Sequence, residues 1–106
     1  TDPNPKLAQE LEVPYVYQLN VNFPNPFNPN TTISFSLAEP GYTKVVIYNI
    51  LGQKVITLVD DYKPPGEYSI TWNGCNDKNE PVSTGIYLYR IESGSFVETK
   101  KMTLIR

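Results

Sequence analysis

Hydrophobic and polar residues alternate along much of the chain, which is the pattern of a half-buried β-strand. The clearest example is residues 31–37 (TTISFSL), where Ile33, Phe35 and Leu37 alternate with threonine and serine. Residues 67–72 (EYSITW) alternate in the same way. Both segments therefore predict strands with one buried face and one solvent-facing face.

Other segments rich in valine, isoleucine, threonine and tyrosine predict further strands. They are residues 13–23 (VPYVYQLNVNF), 43–50 (TKVVIYNI), 54–59 (KVITLV), 86–91 (IYLYRI) and 96–105 (FVETKKMTLI). Proline at position 14 confines the start of the first of these to a sheet edge. Residues 86–91 are apolar on both faces, which favours a central, covered strand.

Turn residues separate these segments. Residues 39–42 (EPGY) and 92–95 (ESGS) predict turns, and Gly52 and Gly66 are assigned to two more. The adjacent Asp60 and Asp61 are expected to cap the strand that precedes the turn ending at Gly66.

About seven short strands, with no amphipathic helix, predict an all-β fold. An immunoglobulin-like antiparallel β-sandwich fits best, and a small closed barrel is the structural alternative. The length of 106 residues allows one such domain. We expect residues 1–12, which are polar and contain two prolines, to be the end of a linker, and residues 13–106 to form the domain.

An unusual segment, NFPNPFNPNTT, occupies residues 22–32. Its prolines are expected to hold the chain extended, and its asparagines to close turns through their side chains. Phe23 and Phe27 are expected to close one end of the sandwich. The residues to which we assign a structural role in these motifs are Pro24, Asn25, Pro26, Phe27, Pro29, Gly52, Gly66 and Trp72.

Composition excludes several function classes. A net charge of −2 argues against a nucleic-acid binder, and no apolar run approaches the roughly 20 residues of a membrane span. The chain has no histidine, and its single cysteine, Cys75, lacks a partner that would activate it. We therefore expect no enzymatic activity and no cofactor.

The residues suggest two candidate binding sites. Asp77, Asn79 and Glu80 are a weak calcium candidate, but a loop satisfied by its own Asx turns fits better. A carbohydrate platform could be formed by Tyr48, Tyr68, Trp72, Tyr87 and Tyr89, although rings at alternating strand positions more often fill a core.

Four segments, in order, resemble a known family. They are residues 19–37 (LNVNFPNPFNPNTTISFSL), 45–59 (VVIYNILGQKVITLV), 64–74 (PPGEYSITWNG) and 83–106 (STGIYLYRIESGSFVETKKMTLIR). Together they resemble the type A C-terminal sorting domain of the type IX (Por) secretion system, which is similar to the immunoglobulin-like domain of the flagellar hook-capping protein.

The resemblance implies a signal that directs a larger exported protein across the outer membrane, through the periplasm to the cell surface or medium. The implied partners are the outer-membrane secretion machinery, a sortase-like protease and the upstream domains of the parent protein. The implied recognition residues are Gly85, Tyr87, Gly94, Lys100, Lys101 and Arg106. For the lysines, protection of an edge strand is a second interpretation. The alternative function is an accessory, carbohydrate-binding or structural module of a secreted enzyme.

Overall fold

The computed structural model describes residues 14–106, which form seven β-strands. The strands are β1 (Gln18–Leu19), β2 (Thr31–Leu37), β3 (Gly41–Asn49), β4 (Lys54–Lys63), β5 (Gly66–Trp72), β6 (Gly85–Ser93) and β7 (Phe96–Leu104). They make two antiparallel sheets, one of order β1–β2–β5 and one of order β4–β3–β6–β7. The predicted all-β, immunoglobulin-like sandwich is confirmed, and the closed-barrel alternative is wrong. The predicted linker at residues 1–12 lies outside the described residues.

Alternate positions of both sheets supply the core, as the sequence pattern predicts. The buried cluster consists of Leu19, Phe27, Ile33, Phe35, Leu37, Val45, Ile47, Trp72, Tyr87, Tyr89, Ile91, Met102 and Leu104. Burial of this apolar area is the main force that holds the two sheets together.

The β3–β4 hairpin turns at the predicted glycine. Gly52 has a φ of 83°, a conformation that glycine adopts without steric cost. The side-chain oxygen of Asn49 accepts hydrogen bonds from the backbone N–H groups of Leu51 and Gln53, each at 3.0 Å. This Asx turn makes the hairpin tight. Gly66, predicted to lie in a turn, is instead the first residue of β5.

Residues 14–23 form much less strand than predicted. Only β1 is regular, and an isolated bridge joins Phe23 to Thr32 farther along. The Asn20 N–H still donates to the Ser34 carbonyl at 3.0 Å, but the next inward group, the Asn22 N–H, donates to the Tyr89 hydroxyl instead of to β2. The outward residues Val16 and Val21 are exposed.

Two other strand predictions are wrong in detail. Asp60 and Asp61 do not cap a strand, because β4 continues to Lys63 through pairing with the start of β3. Residues 86–91 are central in their sheet but buried on one face only. Since the domain has two layers, the outer face of β6 meets solvent, and Ile86 is 43% exposed.

Tyr89 ties the two sheets together through its hydroxyl. Its ring is fully buried in β6, while its O–H donates to the Asn20 carbonyl at 2.7 Å. The same oxygen accepts the Asn22 N–H at 2.9 Å. Burial raises the pKa of Tyr89 above the 10.0 of a free tyrosine. The hydroxyl therefore satisfies two backbone groups that the irregular segment after β1 leaves inside the sandwich.

Replacing Tyr89 with phenylalanine is expected to lower the free energy of unfolding by about 1–3 kcal/mol, because both backbone groups lose a buried partner. The difference in free energy of unfolding between the two proteins should also depend on pH. A folded-state pKa above 10.0 gives a stabilisation that is complete below pH 10 and is lost as the pH rises through the folded-state value. Urea unfolding of both proteins at pH 7 and above pH 10 measures this; a difference that stays constant across the range would contradict it.

Candidate functional site

The β6–β7 hairpin and the segment packed against it contain all the predicted recognition residues. β6 and β7 pair in one unbroken register, from Gly85–Leu104 to Ser93–Phe96. The turn between the strands holds Gly94 at a φ of 59°, exposed to solvent. At the base of this turn, the Ser93 hydroxyl lies 2.8 Å from that of Thr43 in β3 and is buried. The hairpin is thus fixed to the rest of its sheet and presents its turn outward.

Two of the predicted recognition residues lie at the other end of β6. Gly85 begins the strand and is half-buried. Tyr87 is only 5% exposed, and its hydroxyl donates to the Ser83 carbonyl at 2.6 Å. Its ring meets Trp72 edge-on, with centroids 5.4 Å apart and planes at 70°. Tyr87 therefore packs inside the domain.

The two lysines of β7 have different environments. Lys100 points toward the sandwich interior, where its Nζ lies 3.4 Å from a carboxylate oxygen of Glu98 and its side chain is 32% exposed. Lys101 lies on the outer face, opposite Leu88, and is exposed. Within residues 14–106, no acidic side chain comes within ion-pair distance of Lys101. Lys101 is therefore the lysine of β7 that is available on the surface.

Arg106 is held by backbone groups of the loop before β6. Its Nε donates to the Val82 carbonyl at 2.5 Å, and its guanidinium also donates to the Gly74 carbonyl. Gly74 has a φ of 76°, and a Cβ there would lie 2.8 Å from the guanidinium. The arrangement requires glycine at position 74 and gives the Arg106 side chain a structural contact.

The 22–32 segment covers the end of β7. The Phe27 N–H donates to the Thr103 carbonyl at 3.0 Å, and the Ile105 N–H donates to the Phe27 carbonyl at 2.9 Å. The side-chain oxygen of Asn25 accepts the Thr103 N–H at 3.0 Å. Motifs far apart in sequence therefore meet: the proline-rich segment supplies backbone and amide partners to the last strand.

Within this segment, the two phenylalanines behave differently. Phe27 is 2% exposed and packs against Trp72, with ring centroids 5.6 Å apart. Phe23 is 78% exposed, so the prediction that it closes the sandwich is wrong. The chain also bends at residues 24–26 and 28–29, so the predicted extended path is wrong as well.

The proposed calcium loop is organised by one asparagine. The side-chain oxygen of Asn76 accepts the N–H groups of Lys78 and Glu80, and its amide donates to a Glu80 carboxylate oxygen at 3.1 Å. Asn79 has a φ of 62°, as in a tight turn. The Asx-turn interpretation is confirmed. Among the described residues, no group of three or more histidine, cysteine, aspartate or glutamate side chains is placed to hold a metal ion.

Three of the five aromatic residues considered for a carbohydrate platform lie in the core, and Tyr48 and Tyr68 are partly buried. Trp72, Tyr87 and Tyr89 are at most 5% exposed, and the Trp72 indole N–H donates to the Cys75 carbonyl at 2.8 Å. These rings present no stacking surface to solvent.

Sequence reasoning missed a buried polar cluster beside the site. Asn22 is 3% exposed, and its side-chain amide donates to the Thr31 hydroxyl at 2.9 Å and to the Pro24 carbonyl at 3.3 Å. The Thr31 hydroxyl donates to the same carbonyl at 2.8 Å. Asparagine and threonine flanking a proline-rich segment carried no separate signal, because the same residues are common in exposed turns.

Comparison with known proteins agrees with this architecture. A family model described as a secretion system C-terminal sorting domain matches residues 21–105. No curated protein matches the chain. Residues 14–106 contain no helix with the length and hydropathy of a membrane span.

Two solved structures share the fold. Dimeric latent PorU from Porphyromonas gingivalis aligns with a TM-score of 0.67 and 22% identity, over 88% of this chain and 10% of that one. PorZ, an essential surface component of the type IX secretion system of the same bacterium, aligns with a TM-score of 0.56 and 19% identity, over 93% of this chain and 12% of that one. The chain thus spans about a tenth of either protein. With the family match covering most of its length, the chain belongs to the secretion system C-terminal sorting domains, the signals of type IX secretion.

Proposed function

We propose that the secretion machinery recognises this sorting domain at the outer surface of the β6–β7 hairpin, chiefly through Lys101 and the turn at Gly94. The observation that carries the proposal is the environment of Lys101, which is exposed and has no ion-pair partner in the described part of the chain. An unpaired surface lysine is free to steer and orient an acidic partner surface.

The other candidates contribute differently to this surface. The Tyr87 hydroxyl donates to the Ser83 carbonyl, and the Arg106 guanidinium donates to the Val82 and Gly74 carbonyls, so both side chains hold neighbouring backbone in place. Lys100 is half-buried beside Glu98. A Cβ at Gly85 would have no atom of the described residues within 4 Å, so no contact requires glycine there. We assign Tyr87, Lys100 and Arg106 to positioning the surface and Lys101 to direct contact.

The domain acts without catalysis in this proposal. The sequence lacks histidine, and the family to which it belongs consists of sorting signals. The partners are the outer-membrane translocon, the upstream domains of the parent protein and a sortase-like protease that removes the signal. The parent protein passes through the periplasm and reaches the cell surface or the medium.

Export of a reporter fused to the 106-residue chain tests the proposal in a host with type IX secretion. Lys101→Glu is expected to lower the exported fraction about tenfold, which corresponds to roughly 1.4 kcal/mol of recognition energy. Lys54→Glu is the matched control, because Lys54 is an exposed lysine at the other edge of the same sheet. Equal export of both variants, with both folded, would contradict the proposal.

Point substitution is the right design because truncation would destroy the fold. Deleting residues 100–106 removes Met102 and Leu104 from the core together with the Arg106 anchor. Loss of export after such a deletion would report unfolding as readily as loss of a signal. Circular dichroism of Lys101→Glu should match that of the unsubstituted protein.

A further inference from the structure

The free edge of β7 has a defined open stretch. β7 is the last strand of the four-stranded sheet, and the backbone groups of Thr103 and the Ile105 N–H are occupied by Asn25 and Phe27. Backbone groups alternate in direction along a strand, so those of Val97, Thr99 and Lys101 point the same way as those of Thr103. Within residues 14–106, none of these three residues takes part in the backbone hydrogen bonds made outside the strand pairs. Residues 97–101 are therefore an unpaired template for another strand.

Two side chains within this open stretch, those of Glu98 and Lys100, carry opposite charges. Glu98 and Lys100 alternate with the open positions and lie at the side of the sandwich, 38% and 32% exposed. Inward-pointing charges and lysines normally protect an edge, because an arbitrary added strand would leave them without a partner. A strand with the reverse charges opposite these two residues would instead give each a partner beyond the ion pair that they form with each other.

We propose that β7 pairs with β7 of a second copy of this chain, antiparallel, with the two-fold axis at Thr99. In this register Thr99 faces the partner's Thr99, and Val97 faces the partner's Lys101. Every open backbone group of residues 97, 99 and 101 then finds a hydrogen-bond partner. Glu98 lies opposite the partner's Lys100, and by symmetry Lys100 lies opposite the partner's Glu98. The two sheets join into one of eight strands, which closes an isologous dimer.

Charge selects this register over its neighbours. An axis at Glu98 places two glutamates opposite each other, and an axis at Lys100 or Lys101 places two lysines opposite each other. Like charges directly opposite in adjacent strands are destabilising. An axis at Val97 leaves the groups of Lys101 unpaired and brings the 94–95 turn into the interface. The sequence VETKK is thus complementary to itself in the one register that uses the whole open stretch.

Sedimentation equilibrium of the 106-residue chain, from micromolar to about 1 mM, measures the association. The expected mass rises from 12.0 kDa toward twice that value. Glu98→Lys and Lys100→Glu each place like charges opposite one another twice, so each should weaken association at least about tenfold. An equimolar mixture of the two variants should regain association, since their charges complement each other. The double reversal Glu98→Lys/Lys100→Glu should dimerise like the unsubstituted chain.

A second pair of variants tests the backbone contacts. Thr99→Pro removes an N–H that points away from β6, so it breaks no strand pair within the domain but blocks the centre of the interface. Thr99→Ala is its control and should still associate. A chain that stays monomeric at 1 mM would overturn the proposal. So would a dimer whose association is unchanged by Glu98→Lys and Lys100→Glu, or an equimolar mixture of those two variants that fails to associate. Because these measurements need no secretion machinery, their outcome is independent of the recognition proposed for Lys101.

Discussion

Replacing Phe27 with alanine is expected to lower the free energy of unfolding by about 3–5 kcal/mol, the usual cost of removing a buried phenylalanine. The ring is 2% exposed and packs against Trp72, and its backbone joins the proline-rich segment to the end of β7. Its loss opens a cavity where the two sheets meet and loosens the cover on β7. Urea denaturation followed by tryptophan fluorescence measures the effect directly, because Trp72 is the sole tryptophan.

Phe23→Ala is the matched control, four residues away in the same segment. Its ring is 78% exposed, so removing it is expected to change stability by no more than about 0.5 kcal/mol. Equal losses in the two variants, or an unchanged midpoint for Phe27→Ala, would show that the ring of Phe27 does not close the core.

The contrast between Phe23 and Phe27 shows that local sequence does not determine which of the two rings is buried. Each is followed by a proline or an asparagine–proline pair, so both predict the same buried aromatic. Both form an isolated backbone bridge, but with different partners: Phe27 bridges Leu104 at the end of β7, whereas Phe23 bridges Thr32 in β2. The Phe27 ring then packs against Trp72 in the core, while the Phe23 ring faces solvent. The strand alternation of residues 31–37 needs no such information, because its period already specifies the buried face.

The candidate site was predictable in composition but not in arrangement. The family resemblance implies Lys101 and Arg106 alike, yet only tertiary contacts separate an exposed Lys101 from an Arg106 bound to the backbone of residues 74 and 82. Likewise, the Tyr89 hydroxyl reaches Asn20 and Asn22 across nearly seventy positions of sequence, beyond any local pattern. Periodicity gives the face of a strand; it does not identify the groups that meet across a sandwich.

Replacing Asn22 with aspartate is expected to destabilise the domain by at least about 3 kcal/mol at pH 7. The Asn22 amide donates to the Thr31 hydroxyl and the Pro24 carbonyl, and a carboxylate can donate to neither. The substitution also places a negative charge in a site that is 3% exposed and faces a carbonyl oxygen. An unpaired buried charge costs more than a lost neutral hydrogen bond. Urea unfolding at pH 7 measures the loss.

Asn25→Asp separates this effect from a general intolerance of aspartate. Asn25 is exposed and uses its side-chain oxygen as an acceptor for the Thr103 N–H, a role that a carboxylate also fills. The free energy of unfolding of Asn25→Asp should therefore change by less than about 0.5 kcal/mol.

The pH dependence of Asn22→Asp gives a second test. Burial raises the folded-state pKa of an aspartate at position 22 above the unfolded value of about 3.9, so its penalty is smallest below that pH and grows as the pH rises. If Asn22→Asp lost the same free energy of unfolding at pH 3.5 and at pH 7, position 22 would not exclude a charge. The buried amide would then not be what holds the proline-rich segment against β2.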